Sequence, residues 1–302
     1  MLLTHAPSFL GVTTTPRSRH RDGTPDVRNL IRATLPGFSP AERRVADAIL
    51  ADPFAVLDTS VTELADCAGT SAASVVRMCT TIGLKGFQEL KTRLAVEHVP
   101  DDDLRGEEGR GAETGGQLTA TILRDFASAL RDTAAVLEVE PVEAVVDAVI
   151  SARRIQFAAV GTSAMLAFDG SYRLNTLGLS AFYVGDVHAQ HIQARMLGPG
   201  DVLFVVSHTG STFETLAAVR AARTAGATIV AITSFARSPL TELCDHAIVA
   251  GSAETRIRVE AVTSRLVHLA VLDALYVLIR QRCPGADDHL LAAADVLAEH
   301  RF

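Results

Sequence analysis

The sequence predicts an α/β protein in two parts: an N-terminal all-α helix-turn-helix domain, then an α/β/α domain with a five-stranded parallel sheet of order 2-1-3-4-5. Three observations predict it. From residue 155 onward, short apolar runs of strand length alternate with helical patterns. Two capping-box signatures open short helices near residues 40 and 60. An acidic, Gly-rich stretch separates the two patterns.

The elements follow in order. Residues 1–27 carry Pro7, Pro16, Pro25, Gly11, Gly23 and a Thr run, and read as a flexible tail. Residues 28–98 are helical by pattern. Ser39-Pro-Ala-Glu42 places a capping Ser, a Pro at the first helical position and a Glu three residues after the cap, and Ser60-Val-Thr-Glu63 repeats the box. Gly69 ends the second of these helices and Ser71 caps the next, which runs from Ala72 to about Ile82. Two short helices joined by a Gly-containing turn form a helix-turn-helix pattern. On its second helix Val75, Val76 and Cys79 are expected inward, with Ser71, Ala72, Ser74 and Arg77 on the other faces. Residues 99–116 hold six acids against two arginines, a net −4, and are expected to be a solvated linker. Residues 117–302 begin with helices at Leu118–Leu137 and from Pro141 to about Ala152. Strands are then expected at Ile155–Val160, Ala181–Val184, Val202–Val206, Thr228–Thr233 and His246–Val249. Helices fill the intervals, a short one is expected at Ser238-Pro239, and a long apolar helix from about Val259 to Ile279 closes the alternation.

Composition limits the function classes. The 302 residues, 48% apolar and 21% charged, suffice for two domains with real cores. A net charge of −7 excludes a wholly basic nucleic-acid coat, but residues 69–96 carry a local +3 from Arg77, Lys85, Lys91 and Arg93 against Glu89. No apolar run of bilayer length and no secretory leader is legible, so the expected location is cytoplasmic, with no membrane partner. The four cysteines lack C-x-x-C spacing and read as small core residues; no metal site and no cofactor is expected.

The segment Asp201–Glu214 carries the chemistry. An apolar strand breaks into Ser207-His-Thr-Gly-Ser-Thr212, and a helical pattern opens at Thr212. Unpaired backbone N–H groups, the positive helix end and hydroxyl donors then converge, the combination that binds a phosphate. In order 2-1-3-4-5 the first and third strands are neighbours, which brings Gly161-Thr-Ser163 beside Ser207–Thr212 at the crevice where strand order reverses.

The N-terminal motifs Phe38–Asp47, Ser60–Ala65, Ala68–Ser71, Val75–Arg77 and Gly83–Lys91 resemble the DNA-binding domain of RpiR-type (MurR/RpiR) transcriptional regulators. Gly161–Ser163, Asp186–His188, Pro199–Val202, Ser207–Thr212 and Ser264-Arg265 resemble a sugar isomerase (SIS) domain. The resemblance covers about residues 28–98 and 118–282, in family order. It implies a regulator of operator DNA whose SIS domain senses a phosphosugar effector, acting as a homodimer or homotetramer. The ligand set on this reading is Gly161, Ser163, Ser207, His208, Thr209, Gly210, Ser211, Thr212 and Glu260. The DNA set is Thr70, Ser71, Ala72, Ser74, Arg77, Lys85 and Lys91. Two positions depart from the family pattern: Ala159 stands where Gly is frequent, and Thr209 where Ser is usual. The alternative is a phosphosugar isomerase or lyase of the SIS class, for which Glu254, Glu260, His188, His191 and His208 are the available acids and bases. The attached helix-turn-helix favours the regulator, with no catalytic residue assigned.

Overall fold

The computed structural model describes residues 26–97, 115–251 and 262–298. Most of the expected tail and linker, with Glu254 and Glu260, lies outside the described residues. Among the described residues the N-terminal region has five α-helices: α1 (Val27–Thr34), α2 (Pro40–Ala51), α3 (Val61–Cys67), α4 (Ala72–Thr81) and α5 (Phe87–Glu97). Both capping boxes form as read. Ser39 and Ser60 accept from the N–H of Glu42 and Glu63, whose carboxylates return bonds of 2.8 and 2.7 Å to the Ser N–H groups. Each cap contributes about 1 kcal/mol and fixes where its helix begins. Val45, Ile49, Leu64, Val75, Met78, Leu90 and Leu94 form one core from all these helices but the first, which adds Val27 and Ile31.

The remaining elements are α6 (Gly115–Val136), α7 (Val139–Ser151), β1 (Arg154–Ala158), α8 (Ala164–Thr176), β2 (Ala181–Tyr183), α9 (Val187–Arg195), β3 (Asp201–Val206), α10 (Phe213–Ala225), β4 (Thr228–Thr233), β5 (His246–Val249), α11 (Val262–Arg282) and α12 (Ala286–Ala298). The five strands are all parallel in the order β2-β1-β3-β4-β5. Their side chains alternate between two cores, as strand geometry requires. Ile155, Phe157, Val202, Phe204, Val230 and Ile232 join α7, α8 and α11 on one face, where Phe157 and Phe204 stack at 4.7 Å. Ala158, Leu203, Val205, Ile229 and Ala231 join Leu216, Val219 and Ala222 of α10 on the other. At the amino end of β3 the buried Asp201 carboxylate accepts from Arg153, Arg154 and the Gly198 N–H, which together hold it well below the usual carboxylate range.

Several expectations are corrected. Helix α6 already begins at Gly115, two residues inside the expected linker. Ser238 starts a turn rather than a helix, because bonds such as Glu242 N–H to Ser238 and Leu243 N–H to Leu240 do not propagate into a regular ladder. Val76 is 42% exposed, since Val75, Met78 and Cys79 already fill the inner face of α4. Helix α11, expected as a long apolar helix, is by length and composition long enough to cross a bilayer, contrary to the expectation that no apolar run reaches that length. Val267, Val271, Leu272, Leu275 and Ile279 instead pack it into the sheet core. Helix α12, a further element, follows it. The thiols of Cys79 and Cys244 are pushed up to about 12 by burial, in keeping with inert residues, whereas Cys67, expected in the core, is exposed.

Candidate functional site: the anion crevice and the helix-turn-helix

Pairing of β1 with β3, with Ala158 opposite Val205, brings the two hydroxyl-rich turns together beyond the carboxyl ends of adjacent strands. Gly161–Ser163 makes one 3-10 turn, with Gly161 at φ +61°, and leads into α8. Ser207 is buried directly after β3, its N–H donating to Ile232 O at 3.1 Å. Gly210 adopts φ +59° and so turns the chain sharply enough for Thr212 to become the N-cap of α10. Thr209 Oγ1 accepts from Ser211 N–H (3.3 Å), and Ser211 Oγ donates to Thr209 O (3.1 Å). The hydroxyl retained at Thr209 thus builds the turn itself. Neither Ser163 nor Thr212 caps with its side chain the helix it precedes.

The strand leading into the first turn is held by Gln190 of α9. Its side chain accepts from Ala159 N–H (3.3 Å) and donates to Ala159 O (3.2 Å). The Ala159 methyl is buried in the sheet core. His191 bonds the Glu214 carbonyl at 2.8 Å, tying α9 to α10, and His188 is exposed.

His208 is half-buried at the turn. Its Nδ1 lies 2.8 Å from Ser234 Oγ, and Ser234 Oγ lies 3.0 Å from Nε2 of the buried His268. Burial drives both imidazoles down, His208 to about 3 and His268 to about 4, so both are neutral at physiological pH. Ser234 and His268 escaped the sequence reading. A hydroxyl closing β4 is a signal that could have flagged Ser234; a His inside an apolar helix gave none.

The helix-turn-helix is assembled from α3 and α4. Arg44 of α2 clamps its turn by donating to the carbonyls of Ala68 (3.1 Å) and Gly69 (3.1 Å). Ser71 caps α4, accepting from Ser74 N–H at 3.3 Å. Arg77, Ser71 and Lys85 are exposed; Thr70 and Ala72 are half-buried. Two expected DNA contacts depart from this face. Ser74 is buried and accepts from Arg77 Nη2 (2.8 Å), so it orients Arg77 rather than meeting a duplex. Lys91 is only 8% exposed and donates to Thr59 O at 3.0 Å. Its ammonium sits 5.1 Å from the Phe235 ring, and that ring is 5.5 Å from His208. Lys91 therefore belongs to the junction with the sheet region. Ser60 Oγ donates to Arg237 O (2.5 Å) at the same junction, and Arg237 pairs with Asp66.

Comparison with known proteins now decides the family. Residues 26–100 match the model of the helix-turn-helix domain of the rpiR family, and residues 148–278 that of the SIS domain. An uncharacterized HTH-type transcriptional regulator of Caldanaerobacter subterraneus subsp. tengcongensis is 34% identical over 85% of this chain and 91% of its own. The chain belongs to the RpiR family. A second regulator, from Thermotoga maritima, is 30% identical over 92% of this chain and all of its own length. Among solved structures, Vibrio vulnificus NanR complexed with ManNAc-6P superimposes with a TM-score of 0.77 at 27% identity, covering 91% of this chain and 99% of NanR. This RpiR-family chain is thus a DNA-binding transcriptional regulator with a C-terminal SIS domain.

Proposed function

We propose that this RpiR-family regulator senses a phosphorylated sugar in the crevice formed by Gly161, Ser163 and Ser207–Thr212, and that occupancy changes its affinity for operator DNA. Residues 28–98 act as the reader of DNA and residues 117–302 as the sensor. The observation that carries this reading is the continuity between the anion turn and the DNA-binding helices. Ser234 donates its N–H to His208 O (3.1 Å) and bonds the His208 ring, while Arg237, three residues on, is held by Ser60 and Asp66 of α3. A shift of the turn on binding phosphate therefore reaches α3 through four residues, with Lys91 and Phe235 packed alongside. NanR, crystallised with a phosphosugar, supports the ligand class.

Thr70, Ser71, Ala72, Arg77 and Lys85 form the DNA face in this reading, with Arg77 reaching a base edge or phosphate. A palindromic operator calls for at least a homodimer, with recognition helices about 34 Å apart. The stripe Met165, Phe168 and Tyr172 on α8, exposed at i, i+3 and i+7, supports self-association as a homodimer or homotetramer. Operator binding also makes the cytoplasm its place of work. A thermal-shift screen against pentose, hexose and N-acetylhexosamine phosphates tests the sensor, because a ligand that binds only the native state raises the melting temperature. Stabilisation by a sugar phosphate without turnover is expected. Steady conversion of any of them would overturn the regulator reading, and no stabilisation by any would overturn the ligand.

A further inference from the structure

Two adjacent residues of α9 each hold one of the two anion turns. The start of this helix is fixed by Asp186, whose carboxylate accepts from Ala189 N–H at 2.8 Å. Successive helical residues point about 100° apart, so Gln190 and His191 reach different neighbours. Gln190 is buried, and its main-chain oxygen receives Nε2–H of the buried Gln156 at 2.9 Å, which fastens α9 to β1. Its side chain then grips the peptide groups of Ala159, accepting from the N–H and donating to the oxygen. β2 stops at Tyr183, opposite Phe157 and two residues short of Ala159. A primary amide carries a donor and an acceptor together and satisfies both groups where that strand has ended. His191 reaches α10: its Nε2 lies 2.8 Å from Glu214 O, and because a carbonyl only accepts, the nitrogen donates. Ala159 lies two residues before Gly161, and Glu214 two residues after Thr212. Pairing of β1 with β3 reaches only Ala158 and Val205, before either turn begins. From there onward α9 is the element bonded to both.

We propose that Gln190 and His191 are positioning residues for the phosphate group: together they refer both anion turns to α9 and set the spacing at which Gly161–Ser163 and Ser207–Thr212 meet one phosphate. This role rests on the phosphosugar reading above and deepens it, since it assigns the clamp to the phosphate end of the effector and not to the sugar. Apolar side chains at positions 156 and 190 would spare the desolvation of two amides; the amides fix one seating of α9 on the sheet. A turn that is not held beforehand has to be ordered at binding, which lowers affinity. Loss of one clamp hydrogen bond should weaken phosphate binding roughly 2- to 12-fold.

The test uses the full-length protein. Inorganic phosphate, and the sugar phosphate that stabilises wild type most in the thermal screen, are titrated into wild type, Gln190→Met, His191→Leu, His191→Gln and the Gln190→Met/His191→Leu double variant. Each single loss is expected to lower affinity for both probes by the same factor, because the phosphate is common to them. His191→Gln, which keeps a donor at that reach, should restore wild-type affinity. The double variant should lose little more than either single one, since breaking one end already frees the spacing. Unchanged affinity in the single variants, a loss confined to the sugar phosphate, fully additive losses, or His191→Gln no better than His191→Leu would overturn the proposal. If Gln190→Met fails to fold, the two His191 variants decide by the same comparison. Amide exchange at Ala159 without phosphate, slow in wild type and faster in Gln190→Met, reports the clamp by itself. Wild type that binds neither phosphate nor any sugar phosphate would remove the function proposed above and the ligand role of the clamp with it; wild type that binds them, with variants that bind equally well, would remove the clamp's role alone.

Discussion

Gly210→Ala is the sharpest single perturbation of the anion turn, and its magnitude follows from two separate features. The backbone at Gly210 has φ +59°, a conformation that costs an L-residue about 1–2 kcal/mol. An added methyl would also stand 2.3 Å from Ser238 Oγ, 2.8 Å from Ser238 Cβ and 3.2 Å from Leu240 Cβ. Rotation of Ser238 can move its Oγ but not its Cβ, and Leu240 is tied to the turn by its N–H bond to Gly210 O at 2.9 Å. Overpacking of this kind costs about 1–3 kcal/mol. The sum, about 2–5 kcal/mol, corresponds to a melting point lowered by roughly 5–15 °C for a domain of this size. Urea and thermal denaturation followed by circular dichroism measure the loss of stability, and titrations with the best ligand from the thermal screen measure the loss of binding. Adding Ser238→Gly should recover the steric part and leave the backbone part, a separation that the double-mutant cycle makes explicit. A Gly210→Ala protein with wild-type stability and wild-type ligand binding would refute the geometry assigned to the turn.

Two further outcomes are expected. Arg77→Ala should weaken operator binding at fixed salt by about 1–3 kcal/mol with ligand affinity intact, whereas Lys85→Ala should act less on sequence preference than on salt dependence; unchanged DNA affinity in Arg77→Ala would move the recognition face elsewhere. Stability should respond to pH in opposite directions in the two regions. His208 and His268 are pushed below their ordinary value of 6.5, so their contribution is complete above that pH and is lost as pH falls toward about 4 and then 3. Glu97, raised to about 7 by burial and by the neighbouring Asp26, stabilises the helical region below its ordinary value of 4.5, and that contribution is lost as pH rises through 7. Hydrogen exchange resolved by region between pH 4.5 and 7 checks this. Parallel trends in both regions would contradict it, and Glu97→Gln should flatten the helical one.

How much was legible in the sequence depended on how local the cause was. The parallel sheet was legible in the alternating apolar runs, because parallel strands need crossovers; its order 2-1-3-4-5, assumed rather than read from the runs, is the one observed. Ser39, Ser60 and Ser71 were readable as caps because their partners are three residues away. The failures are tertiary. Lys91 lies in a basic stretch and looks like a phosphate contact, yet it is consumed by Thr59 and Phe235, 32 and 144 residues distant in the chain. Ser74 fits the outer face of α4 by spacing alone, but Ser71 and Arg77 fold over it. Ser234 and His268 gained meaning only when β4 and α11 met beside His208. Ala159, a departure from the family pattern, has its methyl in the sheet core.

The central claim is that one molecule couples a phosphosugar in the crevice to DNA at α4. Operator affinity measured by fluorescence anisotropy at fixed salt, with and without saturating ManNAc-6P or the best ligand from the thermal screen, tests it most directly. The account predicts a change of about 5–150-fold, corresponding to a coupling of about 1–3 kcal/mol. In Ser207→Ala/Thr212→Ala that response should vanish while ligand-free operator affinity is preserved. Equal affinity with and without saturating ligand in wild type, or a full response in the double variant, would contradict it.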